Sequence, residues 1–267
     1  SNPFETKPGV WGSGTTQELW DFPVTPIDYT SLTLDLLDIK TAAQASGTYY
    51  GDSGDEGYQL VFNSDNTYSI STVTGLGAKK WSFWDGKWKK LSHDVQTTTF
   101  IETKAVPAGG VIYVEDHVWV SGDIRDRVTL ASGVFPDTPS SNSTIYLNGS
   151  ISYDGVYDGT RAFSAIAQNH VQFPYSAVPN NMILDGAYVA QKGAFHRRFY
   201  DNCCGTAAHA IKASLTRVGM VASNETPVTA WVDNVGTVIS GFTTGTATYD
   251  SNFLYGPPQY FPVEGQL

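Results

Sequence analysis

GGVIYVEDHVWVSGDIRDRVTLASG, residues 109–133, holds three short apolar runs, VIYV, VWVSGDI and RVTL, which begin at residues 111, 118 and 127. The breaks between them are too short for helices and mostly lack the dipeptides of two-residue hairpins. Short strands at this spacing suit a parallel β-solenoid, in which the chain turns a corner every few residues and each turn stacks on the next. The expected crossover is right-handed. The texture recurs in STIYLNGSISYDG (143–155), NNMILDGAYVAQKGAF (180–195) and AIKASLTRVGMVAS (210–223). Alternation then predicts Val111, Tyr113, Val118, Val120, Val128, Leu130, Ile183, Val189 and Leu215 on the inward face. A β-sandwich gives similar short strands and is the alternative architecture.

Upstream the pattern differs. TSLTLDLLDIKTAAQASG (30–47) reads as a helix with Thr30 or Ser31 at its start, a buried stripe of Leu32, Leu36, Leu37, Ile39 and Ala43, and Gly47 at its end. YQLVFNSDNTYSISTV is strand, tight polar turn and strand, with Ser64–Asn66 at the reversal. KKWSFWDGKWKKL repeats the idea around Asp85-Gly86, a strong two-residue hairpin signal. The organisation expected is therefore mostly β, with an N-terminal portion over residues 1–105 (irregular lead-in, helix, hairpins) packed on a solenoid over residues 106–267. The ending NFLYGPPQYFPVEG (252–265) combines three prolines with four aromatics. Prolines exclude a strand and aromatics argue against disorder, so an ordered, packed tail is expected.

Composition narrows the class. The 267 residues suffice for a sizeable core, and only 16% of them are charged, with a formal net charge of −10. Few charges with abundant Gly, Ser, Thr, Asn and aromatics suit an extracellular all-β surface. The acidic balance argues against a chain-wide nucleic-acid footprint but leaves room for a local one. No apolar run is long enough to span a membrane, and the start SNPFETKP reads as a cut end.

The only cysteines, Cys203 and Cys204, are adjacent. They can remain two structural thiols, close a strained vicinal disulfide or, least simply, take part in metal or redox chemistry. If the chain is exported, pairing with each other rather than with partner chains is expected. GDSGDEG (51–57) clusters Asp52, Asp55 and Glu56 among glycines, which suits either a solvated loop or calcium, without EF-hand spacing.

The ordered set KPGVWGSGTTQELWDFPVTPIDY, LTLDLLDIKTAAQASG, GYQLVFNSDNTYSI, LDGAYVAQKGAFHRRFYD, IKASLTRVGMVAS and YDSNFLYGPPQYFP covers nearly the whole chain. It resembles the extracellular region of large minor-pilin-like proteins of bacterial type IV pilus systems, which carry a β-solenoid. The resemblance implies a surface or extracellular location, other pilus subunits as partners, and a membrane link only through an N-terminal apolar helix that this sequence lacks, as in a processed fragment. It also implies that LYGPPQYFP closes the solenoid, its rings pressed onto the last turns as a cap.

Three functions follow as expectations. The first is adhesion or recognition at a pilus, without catalysis. The second is a carbohydrate-active β-helix enzyme, for which Asp116-His117, Asp123–Arg127 and Asp154 with Asp158 are the candidate groups, each with a plain turn role as well. The third is DNA capture during uptake. The sharpest local feature is the hairpin KKWSFWDGKWKKL, with five of the ten lysines and three of the seven tryptophans. Trp84 and Trp88, with Lys87, Lys89 and Lys90, are the candidate binding residues for a glycan, a protein surface or DNA. Against a binding role, strand alternation would bury Trp81 and Phe83 on one face and leave the lysines to guard an edge. The five histidines read as scattered.

Overall fold

A computed structural model describes residues 31–138, 140, 142–201 and 207–260, and within these the chain is mostly β. Two series of strands run through it. The first comprises Thr48–Tyr50, Val111–Val114, Arg127–Ser132, Ala162–Ala167, Asn181–Ala190, Ile211–Ser223 and Val238–Thr248, each parallel to the one before. The second comprises Tyr58–Phe62, Val118–Asp123, Ile145–Ser152, Val171–Phe173 and Phe195–Arg197, again all parallel. All the strand pairs formed within residues 109–223 are parallel. Antiparallel strands are added outside that span: Thr67–Leu76 and Val95–Ala105 extend the Tyr58–Phe62 edge, and Ala230–Val232 folds back on Val238–Thr248.

The core lies between the two series, where alternate residues meet. Ile112, Val118, Val120, Val128, Leu130, Phe163, Leu184 and Leu215 are all buried there. Each such side chain contributes roughly 1.5–3 kcal/mol by leaving water. The long strands Asn181–Ala190 and Ile211–Ser223 need glycine at one level: Gly186 (φ +121°) and Gly219 (φ +144°) are register partners, and a Cβ on Gly219 would collide with the Gly186 carbonyl oxygen.

Alternation alone misplaces part of the inward set. Val111, Tyr113 and Val189 are buried, but on the opposite face of their strands, beneath the helix Ser31–Ala45. Leu36, Ile39 and Ala43 of that helix fill this second layer, and Lys40 pairs with Glu115 at its margin. Both faces of VIYV are therefore covered, which is why all four residues are apolar. Ile183 is 43% exposed and Leu37 44%, so neither belongs to a core. Gly47 stands where the helix leaves the strand below it, and a side chain there would press on the Val111 carbonyl.

The tail does not sit on the last strands. Asn252–Tyr255 is a short helix, Gly159 N–H donates to Asn252 Oδ1 (2.6 Å), and Thr129 Oγ1 donates to the Gln259 carbonyl. It thus runs back along the flank of the Arg127–Ser132 and Ala162–Ala167 strands, held by a buried Asp250 that caps Asn252 N–H. Phe253 is buried and Tyr260 exposed, while the Tyr255 side chain and Phe261 lie outside the described residues. Residues 243–248 of the last strand stay exposed. No helix among the described residues is long and apolar enough to cross a membrane.

Candidate functional site

A separate three-stranded sheet is built on the outer side of the second series. Lys80–Trp84 and Lys87–Leu91 form the hairpin, and Phe199–Tyr200 pairs antiparallel with the free edge of Lys80–Trp84. Asp85 and Gly86 both take positive φ (+49° and +68°), the turn geometry that matches strand twist. Directly paired residues share a face. Phe199, Phe83 and Trp88 therefore form one cross-strand row, with Trp81 and Lys90 beside it, while Tyr200, Ser82 and Lys89 form the row behind.

The rear face is fastened to the body. Ser82 is buried and its hydroxyl accepts from Arg198 Nε (2.9 Å). The Trp84 ring lies on His196, centroids 3.9 Å apart and planes 14° from parallel. Below this contact, Trp119, Tyr146, Gln172 and His196 occupy successive register positions of the second series and make one stacked column. Tyr146 stacks on Trp119 at 4.6 Å and on His93 at 5.0 Å, and Gln172 Nε2 donates to His93 Nδ1 (2.7 Å). His170 stands edge-on to His196 at 4.7 Å. His117 meets Tyr146, and its Nδ1 accepts from Thr144 N–H. Four of the five histidines thus gather in one layer, contrary to the scattered reading. Burial, reinforced by Arg198, drives His93 down to about 3 and His170 to about 4, and burial with the neighbouring His170 holds His196 far below the ordinary imidazole value. These imidazoles are neutral packing elements at neutral pH.

The front face is open. Trp81 and Trp88 are each 49% exposed, and Phe83, Phe199 and Trp231 are partly exposed. Phe83 and Trp88 lie 5.6 Å apart, Trp88 and Phe199 5.7 Å, and Trp231 closes on Phe199 at 5.9 Å. Trp231 is itself fixed, its Nε1 donating to the Arg197 carbonyl (3.0 Å). The result is a rigid aromatic platform at the surface.

The candidate binding residues separate on this geometry. Trp88 is a platform residue, whereas Trp84 points to the body and packs. Lys90 shares the platform face, while Lys87 and Lys89 project from the other face of the edge strand, and all three are exposed. The expected burial of Trp81 with Phe83 is reversed, because Ser82 and Trp84 are the pair that faces inward. Phe199 and Trp231 carried no signal as site residues, since they join the hairpin from more than a hundred residues away. An aromatic pair in AFHRRFYD and the lone Trp231 were the only hints.

The remaining candidates are absorbed by turns. Asp52 Oδ1 accepts from Gly54 N–H and Ser53 donates to Asp116, an arrangement of turn hydrogen bonds that leaves Asp52, Asp55 and Glu56 exposed. Among the described residues no three His, Cys, Asp or Glu side chains gather closely enough for a metal. Asp116 also accepts from His117 N–H, Arg125 spans Asp123 and Asp154, Arg127 donates to the Gly159 carbonyl, and Asp158 accepts from Thr160. Cys203 and Cys204 lie outside the described residues. No protein-family profile, curated protein or solved structure matches the chain.

Proposed function

We propose that this chain is a non-enzymatic recognition protein of a bacterial surface or pilus, in which a right-handed parallel β-solenoid carries an adhesive aromatic sheet on its flank. The solenoid reading rests on the two series of parallel strands and on the stacked glycines Gly186 and Gly219 of neighbouring strands. A sandwich would be expected to run largely antiparallel. The pilin-like placement, and with it pilus subunits as partners, rests on the sequence resemblance alone.

The observation that carries recognition is the outward row of Phe199, Phe83 and Trp88 with Trp81. Large aromatics held half in water on a fastened sheet are costly for a surface that binds nothing, and contiguous exposed apolar area commonly marks an interaction site. The ring faces offer dispersion and quadrupole contacts without further ordering. The carboxylates that an enzyme would use are engaged in turn hydrogen bonds and surface ion pairs.

The test is retention on surfaces. Purified protein and a Trp81→Ala/Trp88→Ala variant are washed over polymer-coated and bare supports at matched concentration, with melting curves alongside. The variant is expected to melt near the parent and to lose most retention. Undiminished retention would contradict the assignment of this face.

A further inference from the structure

We infer that the ligand of the platform is an acidic polysaccharide, a deduction that rests on the proposed recognition face and names its chemistry. The first argument is charge. Half of the lysines lie between residues 79 and 90 of a chain whose net charge is −10. Lys90 projects beside Trp81 on the platform itself, and Lys87 and Lys89 project from the other face of the same edge strand. Lys87 pairs with Asp85 at 3.9 Å with both side chains largely solvated, so this pair leaves the local positive field largely intact. Asp85 and Glu225 are the carboxylates near the turn end, and burial with Asp85 nearby raises Glu225. Lys89 and Lys90 are exposed towards the end of the hairpin away from those carboxylates.

The second argument is shape. A pyranose ring presents an apolar face of C–H groups, which packs on the electron-rich face of an aromatic ring, and the row of three cross-strand rings offers successive contacts to successive sugars. Carboxylate or sulfate groups on the same chain then reach the lysines at its border. A nucleic acid suits this site less well. Its charges are denser, about one per 3.4 Å of a single strand, than the one carboxylate per sugar of a uronate chain, so a few lysines neutralise a smaller share of them. A neutral glycan would use the rings and leave the lysine cluster without a role.

The experiment is affinity electrophoresis in gels cast with polygalacturonate, with fully methyl-esterified polygalacturonate, with alginate, with chondroitin sulfate, or with single-stranded DNA. The parent is compared with Trp88→Ala and with Lys87→Gln/Lys89→Gln/Lys90→Gln, and each variant is checked for an unchanged melting temperature. The expected result is retardation by at least one acidic polysaccharide, about tenfold weaker in Trp88→Ala, and a clear loss with added salt that the lysine variant blunts. For polygalacturonate, the methyl ester should retard less. Equal retardation by acid and ester forms would overturn the acidic ligand while leaving a glycan-binding face. Stronger, Trp88-dependent binding of DNA would overturn it in favour of nucleic acid. If no polymer retards the protein while surface retention still depends on Trp81 and Trp88, the ligand class is wrong and the recognition face stands. If retention is also independent of them, both fail.

Discussion

The ring of Trp84 rests flat on the imidazole of His196, 3.9 Å between centroids, and this contact ties the lysine-tryptophan hairpin to the body of the protein. His196 has no exposed surface and its Nδ1 faces the Ala194 carbonyl, so the stack is completed only while that imidazole is neutral or nearly so. The aromatic platform therefore depends on a layer of histidines beneath it.

That layer makes stability fall with acid. An unfolded imidazole takes up a proton below about pH 6.5, whereas in the fold His93 holds out to about 3 and His170 to about 4. Between those limits the unfolded chain binds more protons, so each such histidine removes up to about 1.4 kcal/mol of stability per pH unit as pH falls. Asp185 and Asp250, which burial pushes upward, act in the opposite sense nearer the carboxylate range. Urea midpoints measured from pH 7.5 to 4.5 should decline steadily, and His93→Gln/His170→Gln should flatten the decline. A flat profile in the parent would contradict the buried neutral layer.

A second prediction concerns the stacked glycines. Gly219 and Gly186 stack with positive φ, and Gly219→Ala would force a methyl group against the Gly186 carbonyl. A loss of about 2 kcal/mol or more is expected from the strained conformation and the collision. Gly245, in open surroundings on the last strand, is the control, and Gly245→Ala should change the melting temperature little. Equal effects at the two sites would argue against close stacking of these strands.

Arg197 is fully buried, and among the described residues no carboxylate forms an ion pair with it. Its guanidinium donates to the carbonyls of Pro174, Tyr175 and His209 and lies 5.2 Å from the Tyr200 ring centroid. Lysine cannot reproduce that fork, so Arg197→Lys should cost about 3 kcal/mol despite keeping the charge. Equilibrium unfolding in urea would register it as a lower midpoint, and an unchanged midpoint would show that the fork is dispensable.

Local signals in the sequence were reliable where the cause was local. The Asp85-Gly86 reversal, the reversal ending at Asn66 (φ +64°) and the Leu36, Ile39, Ala43 stripe are set by neighbouring residues, and each is found in place. What depended on distant partners was not legible. The side of VIYV that meets the helix cannot be read from four apolar residues. Trp81 and Trp84 exchanged their expected faces because Ser82 is held by Arg198, 116 residues away. The histidine layer arises because positions 117, 170 and 196 fall on or beside strands of the second series, while His93, between Lys87–Leu91 and Val95–Ala105, meets Tyr146 and Gln172 of the same series. The tail reached the flank rather than the last strands because the Asn252 side chain finds the Gly159 N–H and the Gln259 carbonyl finds the Thr129 hydroxyl.

The central claim assigns opposite roles to two tryptophans four residues apart, and one paired measurement tests it: melting temperature and surface retention on Trp84→Ala and Trp88→Ala. Trp84→Ala is expected to destabilise the protein by roughly 3 kcal/mol, through loss of its packing on His196. Trp88→Ala is expected to melt near the parent and to lose most of its retention, since its ring stands half in solvent on the open face. A Trp88→Ala protein that still adheres as the parent does, or a Trp84→Ala protein of undiminished stability, would contradict the account.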